Sequence, residues 1–299
     1  MRDAEHLHRK VSDRFHSRTV LLVESSLFSD TVSTEDAVLN DQTVEVLGPE
    51  TADSLRISFD LKGEFADIGE LFFEGEQVIC KTPRLTDSRD EVTNMRRLHA
   101  VAREYKILKI ADNHQNIVKP LAIGIVKYVP SLFLVYSGST TLFKYLQENE
   151  SIFQRHASNI LRGVGNGIAH LHNCSIIHFN VKSSNIVLKK YPYNVHPVLV
   201  GFSLACREEA SKPLTRLQQK KFADAMHIPH EVKIGKSRPS YPSDTYAYGM
   251  LSRHMLIKLD NGILKDRLRS FIFKCTDTTS SQRPVHGDFL HGFEFVCDI

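Results

Sequence analysis

Apolar and polar positions follow one period in the first half of the chain and another in the second. From residue 57 onward, short runs at residues 57–59, 69–73, 77–81, 121–128 and 132–136 are rich in Val, Ile, Leu and Phe and read as strands. One helical segment interrupts them at about residues 90–110. Farther on, Ile160, Val164, Ile168 and Leu171 recur at steps of four, four and three, the stripe of a buried helix between Phe153 and His172. Leu188 and residues 198–200 suggest short strands after it. Two more helices are expected over residues 243–259 and 264–275, the first with Asp244 in its opening turn, where the macrodipole favours negative charge. A small β-rich part followed by a larger helical part predicts an α+β, two-lobed domain with a ligand cleft between the lobes.

Residues 1–57 differ in texture. They are rich in Ser, Thr, Asp and Glu, with two short apolar islands at residues 20–23 and 44–47. They read as a partly disordered extension with a short helix near residues 4–16 and a strand or two. No internal repeat is present. The 41% hydrophobic content of the 299 residues supports a sizeable core and excludes wholesale disorder. No apolar run is long enough to cross a bilayer, and the start of the chain does not read as a signal peptide. The 38 basic and 35 acidic side chains nearly balance, so no nucleic-acid partner is expected. Five scattered cysteines without a C-x-x-C pair read as free thiols in a reducing, cytoplasmic setting. His170, His172 and His178 lie close together, but residues two apart do not share a helix face, and no metal site is expected.

A series of short motifs then gives the chain a family likeness. Val78-Ile79-Cys80-Lys81 is followed by Glu104, and then by His114-Gln115-Asn116-Ile117-Val118. Next come His178-Phe179-Asn180-Val181-Lys182-Ser183-Ser184-Asn185 and, sixteen residues after Asn185, Gly201-Phe202-Ser203. Glu231, the run from Ser243 to Gly249 and Arg283-Pro284 complete the order. Over roughly residues 58–295 the chain resembles a protein kinase domain of the serine/threonine-type, tyrosine-kinase-like branch, and the domain is taken as residues 58–299. The resemblance implies a bilobal kinase fold, with a β-rich N-lobe over about 58–136 and a mainly helical C-lobe over about 142–299. Lys81 would be the strand-three lysine, Glu104 its partner on helix C and Asn185 the catalytic-loop asparagine. Asp244 would tie down that loop, and Glu231 with Arg283 would anchor the segment that follows it.

Departures from the family pattern bear on function. The catalytic loop of an active kinase carries an Asp as base, and its D-F-G motif carries an Asp that holds magnesium. Here those positions are Asn180 and Gly201, although Lys182 is retained. An amide cannot act as a carboxylate base, and glycine offers no metal ligand. The loss of a general base alone costs about 10²–10⁴ in rate. In the glycine loop, Glu64, Ala66 and Gly69 take the three glycine positions, so only Gly69 survives. The hinge is short, with five residues between Tyr136 and Leu142. From Asp244 to Arg283 the helix-G region is shortened, and Thr276 stands where the branch usually has Trp.

The resemblance therefore implies a pseudokinase: an impaired kinase-like domain acting as a signalling scaffold or allosteric regulator through protein partners. Those partners would include an active kinase or a signalling receptor, with no membrane partner. No cofactor is required. Two readings of Lys81, Glu104, Gly69 and Asn185 stay open: a weak, magnesium-independent ATP site, or a pair that fixes helix C beside an asparagine that ties the loop. The rival functions are an active or weakly active serine/threonine kinase, in which Lys182 and another acid take over the chemistry, and a decayed kinase. Phe179 replaces the arginine that clasps a phosphorylated activation segment, so Ser211 and Thr215 read as surface hydroxyls. Leu214, Leu217, Phe222 and Met226 are expected to form one helical stripe that packs into the cleft, and the bases Arg216, Lys220 and Lys221 to form a solvated face.

Overall fold

The computed structural model describes residues 46–47, 58–62, 66–73, 76–85, 91–126, 129–148, 150–259 and 262–285. The chain divides into two units, one running to residue 112 and including 119–136, the other comprising 113–118 and 137–299. The 4–16 helix, the first apolar island and most of the expected extension lie outside the described residues. Part of the second island is described: β1 (Val46–Leu47) pairs in parallel with β5 (Pro120–Val126).

In the first unit, β2 (Ser58–Lys62), β3 (Ala66–Phe73), β4 (Glu76–Pro83) and β6 (Val129–Val135) complete a six-stranded sheet of order β1-β5-β6-β4-β3-β2. The alternation read from the sequence sets this up. On β4, Val78 and Cys80 are buried while Lys81 points to the opposite face. The long helix α1 (Glu91–Ile110) buries Val101, Glu104, Tyr105 and Leu108, which recur at i, i+3, i+4 and i+7. Helix α1 lies against β4, β5 and β6, so one face of the sheet and one stripe of the helix share a core.

The second unit is mainly helical, built on α2 (Leu142–Glu148), α3 (Glu150–Asn173), α4 (Arg216–Lys221), α5 (His230–Lys233), α6 (Tyr241–Leu256) and α7 (Gly262–Cys275). The expected stripe on α3 is present, with Ile160, Val164, Ile168 and Leu171 all buried. A hairpin of β9 (Ile186–Tyr191) and β10 (Asn194–Leu199) carries β7 (Thr140–Thr141) on its edge. The two-residue strands β8 (Ile176–Ile177) and β11 (Cys206–Arg207) pair with each other. These three two-residue strands have no pattern of their own, because each is defined only by its partner. Only residues 257–261 separate α6 from α7, a connection too short for a further helix of the length of either. A β-rich unit with one long helix, followed by a mainly helical unit, is the α+β order of elements that the resemblance implies.

Helix α3 approaches the hairpin closely because its contact residues are glycines. A Cβ built on Gly163 would lie 2.5 Å from Cγ of Pro197 and 2.7 Å from Nδ2 of Asn116. That same Asn116 donates from Nδ2 to the Pro197 carbonyl at 2.8 Å, and its own carbonyl accepts from Leu199 N–H at 2.8 Å. These bonds fasten residues 113–118 to the second unit. His114 stacks on His170 with ring centroids 4.6 Å apart. Burial, then the charges of His170 and His196, push the His114 pKa down to about 4, so the ring is neutral at pH 7. Gly163→Ala should raise helix propensity by up to about 1 kcal/mol, yet overpacking costs about 1–3 kcal/mol. A lower melting temperature is expected. A rise would show that the α3–β10 contact can relax.

Candidate functional site

Lys81 and Glu104 meet as the sequence predicts. The Lys81 ammonium donates to both carboxylate oxygens of Glu104, at 2.7 and 2.6 Å, and Glu104 is buried. The β4 register fixes this lysine, which lies opposite Ile68 on β3 and Leu132 on β6. Gly69 sits inside β3 opposite Cys80, buried and without a positive φ. Ala66 opens the same strand opposite Pro83, and Glu64 lies outside the described residues. Burial pushes the neighbouring Cys80 thiol up to about 11, so it is no nucleophile at neutral pH.

In the second unit the loop that follows β8 is held by a single carboxylate. Asp244, on the first turn of α6, is fully buried and accepts from His178 N–H at 2.7 Å and Phe179 N–H at 2.8 Å. Nε2 of His172 contacts the same carboxylate at 3.2 Å. Its acidity therefore serves the loop rather than the helix dipole alone. Phe179 adopts φ +57°, a left-handed conformation unusual for an aromatic residue. Such strain costs about 1–3 kcal/mol and persists only where its surroundings impose it. The paired N–H bonds to Asp244 supply that constraint. Nδ1 of His178 accepts from Asn180 N–H at 3.2 Å, which leaves Nε2 to donate to the Val200 carbonyl at 3.2 Å. The imidazole also meets Phe202 edge-on, 4.5 Å between centroids.

At the three altered or retained polar positions the geometry is compact. Asn180 is buried, and its carbonyl accepts from the Asn185 amide at 2.9 Å. Asn185 closes the 3-10 turn Ser183–Asn185 that follows Lys182, and its carbonyl receives Val200 N–H at 3.0 Å. Gly201 has φ +80° and ψ +48°, and a Cβ there would lie 2.8 Å from Cγ and Oδ1 of Asn185. The Asn185 amide thus occupies the space that a side chain at position 201 would enter. From Ser151 to Arg207 the sequence holds no Asp or Glu. Asp244, the carboxylate that reaches this loop, is already engaged by two N–H groups and His172. No group of three or more His, Cys, Asp or Glu side chains placed to hold a metal ion occurs among the described residues.

The segment after Gly201 departs from the expectation of a single stripe. Leu214 and Phe222 are buried with Phe179, Ile177, Ile228 and Val232, whereas Leu217 and Met226 are 79% and 69% exposed. Helix α4 spans only six residues, too short to carry a four-residue stripe from 214 to 226, so the chain turns and the four side chains part. Phe179 and Phe222 meet edge to face, 6.2 Å between centroids. Apolar packing therefore stands at the position where the family pattern has its clasping arginine and this chain has Phe179. Ser211 is not a surface hydroxyl: it is buried and donates to the Pro239 carbonyl at 2.6 Å. Thr215 is exposed and caps α4 in a reciprocal pair with Gln218. The far end of the segment is fixed by Arg283, buried, donating to Glu231 at 2.7 Å. Sequence reasoning identified Asp244, Glu231 and Arg283 but missed the Phe179 cluster, because its members come from loops without periodicity.

Truncating a packed Phe costs about 3–5 kcal/mol, and here the loss should be local first. Phe179→Ala is expected to speed amide exchange across residues 214–232 before the rest of the second unit opens. Unchanged exchange there would show that the segment is held without this ring.

Comparison with known proteins agrees with the geometry. The model of the protein kinase domain family matches residues 62–286. CaM kinase-like vesicle-associated protein of Xenopus laevis is 24% identical over 201 residues, 67% of this chain and 51% of that protein. The probable serine/threonine-protein kinase fnkB of Dictyostelium discoideum is 26% identical over 158 residues, 52% of this chain and 29% of that protein. The phosphorylase b kinase gamma catalytic chain, liver/testis isoform, of Bos taurus is 26% identical over 146 residues, 48% of this chain and 35% of that protein. The chain thus spans about half the length of these curated relatives or less. With the lysine–glutamate pair, the Asp244-held loop and the Glu231–Arg283 anchor all in place, and the family model covering most of its length, the chain belongs to the protein kinase domain family.

Proposed function

We propose that this domain is a pseudokinase, catalytically impaired, and that it works in the cytoplasm as a signalling scaffold or allosteric regulator through protein partners. An active kinase or a signalling receptor fits the partner role. The observation that carries the reading is the pairing of Asn180 with Gly201 in a loop whose Asn185 amide is turned onto Asn180 and fills the space beside Gly201. Phosphoryl transfer depends on positioning and on metal-borne electrostatic stabilisation. The ligand missing at Gly201 and the base missing at Asn180 remove both kinds of help. The rival, in which Lys182 and a substitute acid take over, needs a carboxylate near the loop. None occurs between Glu150 and Glu208, and Asp244 is spent on backbone N–H groups.

The retained scaffold supports a role in binding rather than in catalysis, since an ordered fold is kept where its chemistry is not. Its nucleotide requirement is none. Any ATP that binds would do so weakly and without magnesium. The four described cysteines are free, and among the described residues no helix is long and apolar enough to cross a membrane.

A thermal-shift titration of the chain with ATP in magnesium and in EDTA tests the metal part of this reading. The melting temperature should respond equally in the two buffers, or in neither. A stabilisation that appears only with magnesium would contradict it. Restoring one carboxylate should not restore the metal: in Gly201→Asp the new side chain has to displace the Asn185 amide, and the magnesium response should stay absent. Its appearance in that single variant would show that the loop yields readily.

A further inference from the structure

Residues 212–236 carry six Lys or Arg and only two acids, Asp224 and Glu231, of which Glu231 is paired with Arg283. On α4, Leu217, Lys220 and Lys221 follow at i, i+3 and i+4 and share a face, and all three are exposed. Met226 and Ile234 add exposed apolar surface farther along the segment. The positive excess is complementary to an acidic partner, and the bare Leu and Met beside it offer apolar surface that such a partner can cover.

What distinguishes this surface from a solvated loop is how firmly it is held. Leu214, Phe222, Ile228 and Val232 anchor its inner side on Phe179. The Thr215–Gln218 capping pair fixes the start of α4, and the Gln219 amide donates to the Leu214 carbonyl at 2.8 Å. The Lys233 ammonium donates to the Ala223 carbonyl at 3.3 Å, and Ser211 to Pro239 at 2.6 Å. No phosphate is needed for this order, because the ring of Phe179 takes the place of a charged clasp. A surface ordered before binding loses little entropy when a partner arrives.

We propose that residues 212–236 form a permanently presented docking surface for an acidic, leucine-bearing segment of a partner protein. Carboxylates of the partner face Arg216, Lys220 and Lys236, and its leucines cover Leu217 and Met226. The proposal rests on the reading of the domain as a protein-binding scaffold and names the surface and the chemistry of the partner.

The test uses the full chain and a fluorescein-labelled peptide of four Glu-Glu-Leu-Leu repeats, read by fluorescence anisotropy. A Lys-Lys-Leu-Leu peptide and phosphatidylserine vesicles serve as competitors in chemistry. The acidic peptide should bind, weaken as salt rises, and lose at least about tenfold in affinity in Leu217→Asp and in Lys220→Glu. Both positions are exposed, so the melting temperatures of the variants should match the parent chain. Absence of binding, equal affinity in the variants, or preference for the basic peptide or the vesicles would overturn the proposal. The peptide has no hydroxyl to phosphorylate, so the result is independent of whether the chain transfers phosphate. Transfer measured separately would sink the pseudokinase reading and leave the surface intact.

Discussion

The buried carboxylate of Asp244 is the constraint on which the second unit turns. Two backbone N–H groups of consecutive residues, His178 and Phe179, point at its two oxygens, and His172 closes the third side. That geometry forces the loop to bend and places Phe179 in a left-handed conformation that an aromatic residue does not adopt unaided. Everything nearby follows from the bend. His178 is turned to Val200 and Phe202, Asn180 is drawn under it, and the Phe179 ring is thrown toward the segment of residues 211–238. A buried acid held by three partners is costly to disturb, since removing the charge strands two N–H groups without acceptors. The bend of the loop thus rests on Asp244 and its three partners.

Retention and loss divide along a physical line. The groups that persist, Lys81 with Glu104, Glu231 with Arg283, and Asp244 with its loop, all stabilise the folded chain whether or not nucleotide is present. Under the proposed reading, the acids that the family carries at positions 180 and 201 would serve only the reaction, one as base and one as magnesium ligand. At Gly201 the space that a side chain would enter is occupied by the Asn185 amide, which bonds to the Asn180 carbonyl. The segment that follows shows the same replacement of charge by apolar packing. An arginine clasp would answer to phosphorylation, whereas the Phe179–Phe222 contact is indifferent to it.

Much of this was legible in the sequence, and the exceptions share a cause. The α3 stripe at Ile160, Val164, Ile168 and Leu171 and the strands that bury Val78 and Cys80 follow from periodicity, and the pairing of Lys81 with Glu104 is what the family resemblance implies. The short spacing between α6 and α7 was visible as a missing stretch before residue 283. The Phe179 cluster was not, because Ile177, Leu214, Phe222, Ile228 and Val232 come from separate turns and have no common period. For the same reason the spacing of Leu217 and Met226 does not distinguish them from the buried Leu214 and Phe222. Ser211 looked like a surface hydroxyl until its bond to the Pro239 carbonyl placed it inside. Local pattern reports which elements form, whereas loop packing depends on contacts distant in sequence.

The account stands or falls on phosphate transfer. The direct measurement is the amount of phosphate moved from magnesium–ATP to the chain itself and to a generic protein substrate, counted by mass spectrometry after a long incubation, with Lys81→Met prepared in parallel. Active kinases turn over at about 1–100 s⁻¹, so even a small residual rate would accumulate. The account predicts a background level that is the same with magnesium or EDTA and the same in Lys81→Met. Magnesium-dependent transfer that disappears in Lys81→Met would contradict it.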